Sequence, residues 1–279
     1  MKSKFWVYIG LLFAMAVWSY SYVLIKIVYS FGVPPTMLVF MRLVLATLTL
    51  LAFTKITGKL QPIQKSDRLS FLALAFFEPF LYYIGESNGL VLVSPTVGSV
   101  IIATIPVFTP FVLYAYFKEK VDKTNFFGII ISFIGVLLVI FEDDYTLSAS
   151  PVGLGFMFFA VFSAFGYTIV IKNLTQKYNS FTIVTYQTLI GAILYVPLFL
   201  FSDFNVMANV EFTWQMLVAT ATLAIFATAI AYILFSTGIR EIGAMQATIF
   251  ANLIPVLTAL LALLSGMEEL PLRKLGGVL

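Results

Sequence analysis

The sequence predicts an all-α polytopic membrane protein built from two inverted-topology five-helix repeats. Three observations carry that prediction: the composition, a series of apolar runs of membrane-crossing length, and a duplication at fixed spacing. Of 279 residues, 61% are hydrophobic and 10% charged, with a mean hydropathy of +1.02. A water-soluble domain cannot bury that much apolar surface, whereas a bilayer acts as its solvent. The net charge of +3 therefore describes where the loops lie and implies no nucleic-acid partner. Cysteine and histidine are absent, which removes disulfides, thiolate nucleophiles, and histidine bases or metal ligands. No metal or cofactor is implied.

Apolar runs lie near 5–28, 36–56, 69–90, 95–116, 124–141, 152–171, 181–202, 213–237 and 243–266. Each is about 20 residues, enough to cross a hydrocarbon core as a helix. The first is too long for the apolar core of a signal peptide, and no small-x-small cleavage site follows it. Links are short and carry helix breakers: Gly32-Val33-Pro34-Pro35, Ser94-Pro95 and Ser150-Pro151. Ser94 suits an N-cap and Pro95 a first helical position.

The duplication is ungapped from the third span onward. Ile105-Pro106-Val107-Phe108-Thr109 recurs as Ile254-Pro255-Val256-Leu257-Thr258, 149 positions on. The same shift pairs Tyr83 with Tyr232, Ser87 with Ser236, Gly89 with Gly238, Glu119 with Glu268 and Gly128 with Gly277. The repeats read as 1–141 and 152–279. An odd number of spans per copy inverts the second copy in the bilayer, an arrangement many secondary transporters use to build a central site. Shifting the fifth run by 149 predicts a tenth span near 273–290. Gly276-Gly277-Val278-Leu279 then reads as its opening, cut short, and the natural protein is expected to continue beyond Leu279.

Basic residues set the orientation. Lys2 and Lys4 precede the first run. Lys55, Lys59, Lys65 and Arg68 follow the second, and Lys118, Lys120 and Lys123 follow the fourth. Lys172 and Lys177 follow the sixth, and Arg240 the eighth. All fall on one side, while the opposite links hold almost none and one carries Glu142-Asp143-Asp144. The positive-inside rule places the N-terminus in the cytoplasm; Arg273 and Lys274 fit that rule less well.

Together these features resemble the EamA-type ten-helix branch of the drug/metabolite transporter superfamily, across essentially the whole chain. The matching residues are Trp18 and Lys26, Phe40-Met41-Arg42-Leu43, the Pro106 block leading to Lys118-Glu119-Lys120 and Gly128, then Asn252-Leu253-Ile254-Pro255, Glu268 and Gly277. The resemblance implies an inner-membrane exporter or importer of small metabolites with its site between the two halves. The pair Glu78 and Glu86 is not part of that general pattern.

Charges inside spans are the costliest residues in the chain, at about 2.5–3.5 kcal/mol for Asp, Lys or Arg at a helix centre. Lys26 lies near the end of its span, where snorkelling to the interface accounts for it. Arg42 lies roughly 9 Å into the second span. It suits either a buried pair that fixes packing or a fixed cation for an anionic substrate group. Glu78, Tyr82 and Glu86 recur every four positions and share a stripe on the third span. Glu86 is expected to pair with Arg42 or Lys26, leaving Glu78 the freer carboxyl, either hydrogen-bonded to a neighbouring helix or available for proton coupling or a substrate amine. Pro106 frees the carbonyl of Ile102 and Pro255 that of Ala251, so both are expected at a hinge or lining the central cavity, with Asn252 beside them. Trp18, Ser21, Tyr22, Tyr167 and Gln187 complete the candidates. Gly85 and Gly89 read as a close helix contact.

The function expected is a secondary active transporter, by direction an exporter, of small organic metabolites such as amino acids or drugs, working by alternating access with proton coupling as an option. The alternative is a membrane channel or non-transporting receptor. An enzyme is not expected. Asp67, Asp122, Asp143, Asp144 and Asp203 all fall in links or at span ends, and no His-Glu-x-x-His or nucleotide-binding loop occurs. Expected partners are the substrate and membrane lipid, as monomer or homodimer.

Overall fold

The structure is a computed structural model describing residues 4–120, 123–141, 147, 149–269 and 271–278. Lys2, Asp122 and the acidic run 142–144 lie outside the described residues. Among the described residues, eight helical segments are long and apolar enough to cross a membrane. They are α1 (Lys4–Ser30), α2 (Pro35–Ile56), α3 (Lys65–Leu92), α4 (Pro95–Phe117), α6 (Pro151–Lys177), α7 (Ser180–Ser202), α8 (Trp214–Ile242) and α9 (Ala244–Leu264). Between them α5 runs Lys123–Ile140, and α10 is a seven-residue helix, Leu272–Val278. The described residues contain no strand.

Local chemistry sets the helix ends. Pro35, Pro95 and Pro151 occupy first-turn positions, where a missing amide hydrogen removes nothing from the helix. Asn179 Oδ1 accepts from Thr182 N at 2.8 Å to start α7, and Thr213 Oγ1 accepts from Met216 N at 3.3 Å to start α8. Just past α1, α2, α8 and α9 the chain turns at Gly32, Gly58, Gly243 and Gly266, each at positive φ, the backbone region that favours glycine after a helix.

The helices cross between repeats. α1 packs on α8 and α9, and α6 packs on α3 and α4. Gly85 and Gly89 make the second contact possible, since a Cβ on Gly85 would stand 2.6 Å from the Phe156 carbonyl oxygen. The outward surface is apolar, with Leu48, Phe162, Ile193 and Phe201 exposed, as suits a lipid solvent.

Both repeats are interrupted at matched places. α3 widens into a π-helical turn over Phe76–Leu81 and α8 over Leu223–Ile230; shifting the first by 149 gives 225–230. α4 breaks between Ile102 and Ile105, and α9 passes through a 3-10 turn at Phe250–Asn252. Each break lies just before its proline, so Pro106 and Pro255 sit in the first turn of a new half-helix.

The two ends of the molecule are held differently. At the lysine-rich end, the link before α3 is tied to the α6–α7 turn. Asp67 accepts from Lys177 Nζ at 2.7 Å and from Tyr178 OH at 2.9 Å, while Gln61 Oε1 accepts from Asn179 N at 2.7 Å. At the other end, Asp203 Oδ2 accepts from Met37 N at 2.9 Å, and Glu268 accepts from Ser94 Oγ at 3.0 Å and Thr96 N at 2.9 Å.

Candidate functional site

A cavity lined by polar and aromatic side chains lies between the two halves, as small-molecule sites do between the helices of bundles. Its walls come from matched positions. Ile102 and Ile105 face it from α4, and Ala251 and Ile254 face it 149 positions later. Tyr83 and Glu86 face it from α3, with Tyr232 and Phe235 at the same shift from α8. In α1 and α6 the register is 146: Trp18, Ser21 and Tyr22 on one side, Ala164, Tyr167 and Thr168 on the other. Matched positions of the two repeats therefore wall one cavity.

The charged groups break that symmetry. Arg42, Glu78 and Glu86 all line the cavity and are nearly fully buried, and the counterparts of the two glutamates in the second copy, Ala227 and Phe235, are apolar. Arg42 Nη2 donates to Tyr83 OH at 3.3 Å and to Thr228 Oγ1 at 3.2 Å, and Nε donates to the same Thr228 oxygen at 3.3 Å. Its Nη1 is buried without a partner, and the guanidinium stands 4.8 Å from the centre of the Tyr83 ring. Tyr82 OH donates to Glu86 Oε1 at 3.1 Å, and Tyr232 OH donates to Glu78 Oε1. The second oxygen of each carboxyl has no hydrogen-bond partner among the described residues.

This differs from the expected Glu86–Arg42 or Glu86–Lys26 pair. The ion pairs found among the described residues are Lys172–Glu119 and Lys177–Asp67. Tyrosine and threonine hydroxyls supply the hydrogen bonds of Arg42 and both glutamates, and no ion pair joins Arg42 to either acid.

The π turn explains how Glu78 is presented. Its non-helical backbone (φ −146°, ψ 118°) frees carbonyls in mid-span, which need partners away from water. The second repeat supplies them: Ser163 Oγ donates to Phe77 O, Gln187 Nε2 to Glu78 O at 3.0 Å, and Tyr195 OH to Phe80 O at 3.3 Å. In the opposite direction, Trp18 Nε1 of α1 donates to Ala227 O in the α8 turn at 3.0 Å. Arg42 and Gln187 are equivalent in this respect. Each is seven residues past its helix start, Pro35 or Ser180, and each reaches the π turn of the other repeat.

Eight expected candidates therefore share the cavity: Trp18, Ser21, Tyr22, Arg42, Glu78, Tyr82, Glu86 and Tyr167. Others are placed elsewhere. Gln187 lies behind the Glu78–Pro79 turn with Leu43, Thr188 and Thr228, its side-chain amide committed to the Glu78 carbonyl. Asn252 and Pro255 face a separate groove beside Gly128, Gly135 and Gly277, because the 3-10 turn at Phe250–Asn252 points Ala251 inward and Asn252 outward. Pro106 is buried in α4, and the cavity wall there is made by Ile102 and Ile105. Tyr83, Tyr232 and Thr228 are the polar contacts that sequence reasoning did not assign to the site.

The EamA-like transporter family profile matches the chain twice, over residues 5–141 and 151–279. An uncharacterized transporter of Archaeoglobus fulgidus is 28% identical over 98% of this chain and 94% of its own length. The uncharacterized transporter YdfC of Bacillus subtilis is 30% identical over 88% of this chain and 79% of its own. A crystal structure 15% identical in sequence superposes with a TM-score of 0.67, covering 95% of this chain and 93% of the other, which establishes likeness of fold alone.

Proposed function

Because the chain belongs to the EamA-like transporter family, we propose that it is a secondary active transporter moving a small organic solute by alternating access through the central cavity. One observation carries this reading: matched positions of both repeats wall the cavity, and its lining includes Arg42, whose guanidinium keeps one nitrogen without a partner, and two carboxyls, each with an oxygen that makes no hydrogen bond among the described residues. Arg42 Nη1 suits an acidic group on the solute, Glu78 or Glu86 an amine, and the Trp18, Tyr22, Tyr82 and Phe235 rings an apolar body. Amino acids and amphiphilic amine drugs have that chemistry. Glu78, held by Tyr232, is the candidate for exchanging a proton as the cavity opens and closes. The lysine-rich end faces the cytoplasm of a cell whose inner or plasma membrane holds the protein, and transport runs outward.

The test is a panel of amino acids, nucleobases and amine drugs, assayed for resistance and uptake at two pH values in cells with and without the protein. The reading predicts a protein-dependent change for a solute bearing an amine, larger at one pH. No change for any solute at either pH would count against it.

A further inference from the structure

Two lysine–glutamate pairs occupy matched places at opposite ends of the molecule. Glu119 and Glu268 are 149 positions apart. Lys26 and Lys172 are 146 apart, the register that also superposes the cavity residues of α1 and α6. Each lysine lies one turn or slightly more before the end of its helix, at Ser30 or Lys177. The repeat therefore makes Lys172–Glu119 and Lys26–Glu268 equivalent positions, one set at each end of the molecule.

Their present states are opposite. Lys172 Nζ is paired with Glu119, with the ammonium 4.3 Å from the Phe117 ring centre. Lys26 makes no ion pair among the described residues. Glu268 instead caps the start of α4, accepting from Ser94 Oγ and from Thr96 N. Thr96 corresponds to Met245 at the start of α9, and that helix has no side-chain cap, so its first amides lack the partner that Glu268 gives α4. The lysine-rich end also carries the denser set of bonds between repeats, through Asp67 and Gln61.

We propose that these are reciprocal gates. Each glutamate alternates between its lysine and the N-terminus of the helix facing it, and the two ends are never in the same state. In the present state Lys172–Glu119 closes the lysine-rich mouth and Glu268 caps α4. In the other, Glu119 caps α9 at the Met245 amide, and Glu268 pairs with Lys26 to close the opposite mouth. Inverted repeats that exchange conformations produce this alternation. The inference rests on the alternating-access reading above.

The absence of cysteine gives a clean background for the test. Thr168→Cys places one thiol in the cavity, and its labelling rate by a membrane-impermeant, charged thiosulfonate is measured from each side of oriented vesicles. Labelling should be faster from the Lys26 end. Adding Lys172→Gln should raise labelling from the lysine-rich end and lower it from the other, each by about threefold or more. Lys172→Arg should leave both rates unchanged, and the exchange Lys172→Glu with Glu119→Lys should restore them. Adding Lys26→Gln should shift the rates in the opposite sense. Rates that ignore Lys172→Gln, or that rise from both sides together, overturn the proposal. Because the reagent reports gating alone, rates that respond as expected in a protein showing no solute exchange would sink the transport reading and leave the gates standing.

Discussion

The π turn at Phe76–Leu81 in α3 and the turn at Leu223–Ile230 in α8 stand in matched places, yet their chemistry differs completely. The first holds Glu78 and Pro79; the second holds Ala227 and Thr228. Since the second turn forms without a proline, the widened turn belongs to the duplicated scaffold and is not a local effect of Pro79. Each turn is braced by a residue of the other repeat, Gln187 on the first and Trp18 and Arg42 on the second. The scaffold places a carbonyl-rich, irregular segment at mid-span in both halves, and only one copy uses it to present an acid.

The strongest way to break that comparison is to remove the cation that crosses it. Arg42→Met should cut transport by on the order of 100-fold, because it strips the cavity of its guanidinium and leaves Tyr83 and Thr228 without their donor. Initial uptake rates in proteoliposomes measure this, with a monodisperse size-exclusion profile as the control for folding. Glu78→Gln keeps the acceptor for Tyr232 and the packing of the turn. It should lower transport by about 10- to 100-fold and flatten its pH dependence, whereas unchanged uptake at both pH values would remove Glu78 from the mechanism. Moving the acid to the matched place sharpens the contrast. Ala227→Glu in the Glu78→Gln background should restore nothing and should destabilise the protein by about 2.5–3.5 kcal/mol, the cost of an Asp at a helix centre, since Ala227 is buried. The smallest effect is expected for Gln187→Leu, which unbonds the Glu78 carbonyl at a cost of about 1 kcal/mol, read as a lower melting temperature with uptake reduced less than threefold.

Much of this architecture is legible in the sequence, and the reason is physical. Spans are visible because only helices cross lipid, and the duplication is visible because its spacing is ungapped from α3 onward. Trp18, Tyr22, Arg42, Glu78, Tyr82 and Glu86 stand out because polar groups are costly in mid-span, and all six line one cavity. Extrapolating a regular helix is what fails. The π turns rotate the faces of α3 and α8, so Tyr83 reaches Arg42 from off the stripe of Glu78 and Glu86, and Thr228 reaches it from α8. Tyr83 and Tyr232 were marked by the repeat, but a repeated residue reads first as scaffold. Asn252 stands beside Pro255 in sequence, and the 3-10 turn sends the two neighbours Ala251 and Asn252 to different surfaces. The registers of 146 in α1 and α6, and 145 at the starts of α2 and α7, appear only when helix ends and cavity walls are compared.

Counterflow in proteoliposomes tests the central claim most directly. Vesicles holding the purified protein and preloaded with the solute identified by the panel should take up labelled solute transiently above equilibrium, with saturable rates, and Glu78→Gln vesicles should lose most of that overshoot. Flux that rises linearly with concentration, shows no overshoot and is unaltered by Glu78→Gln would contradict alternating access through this cavity.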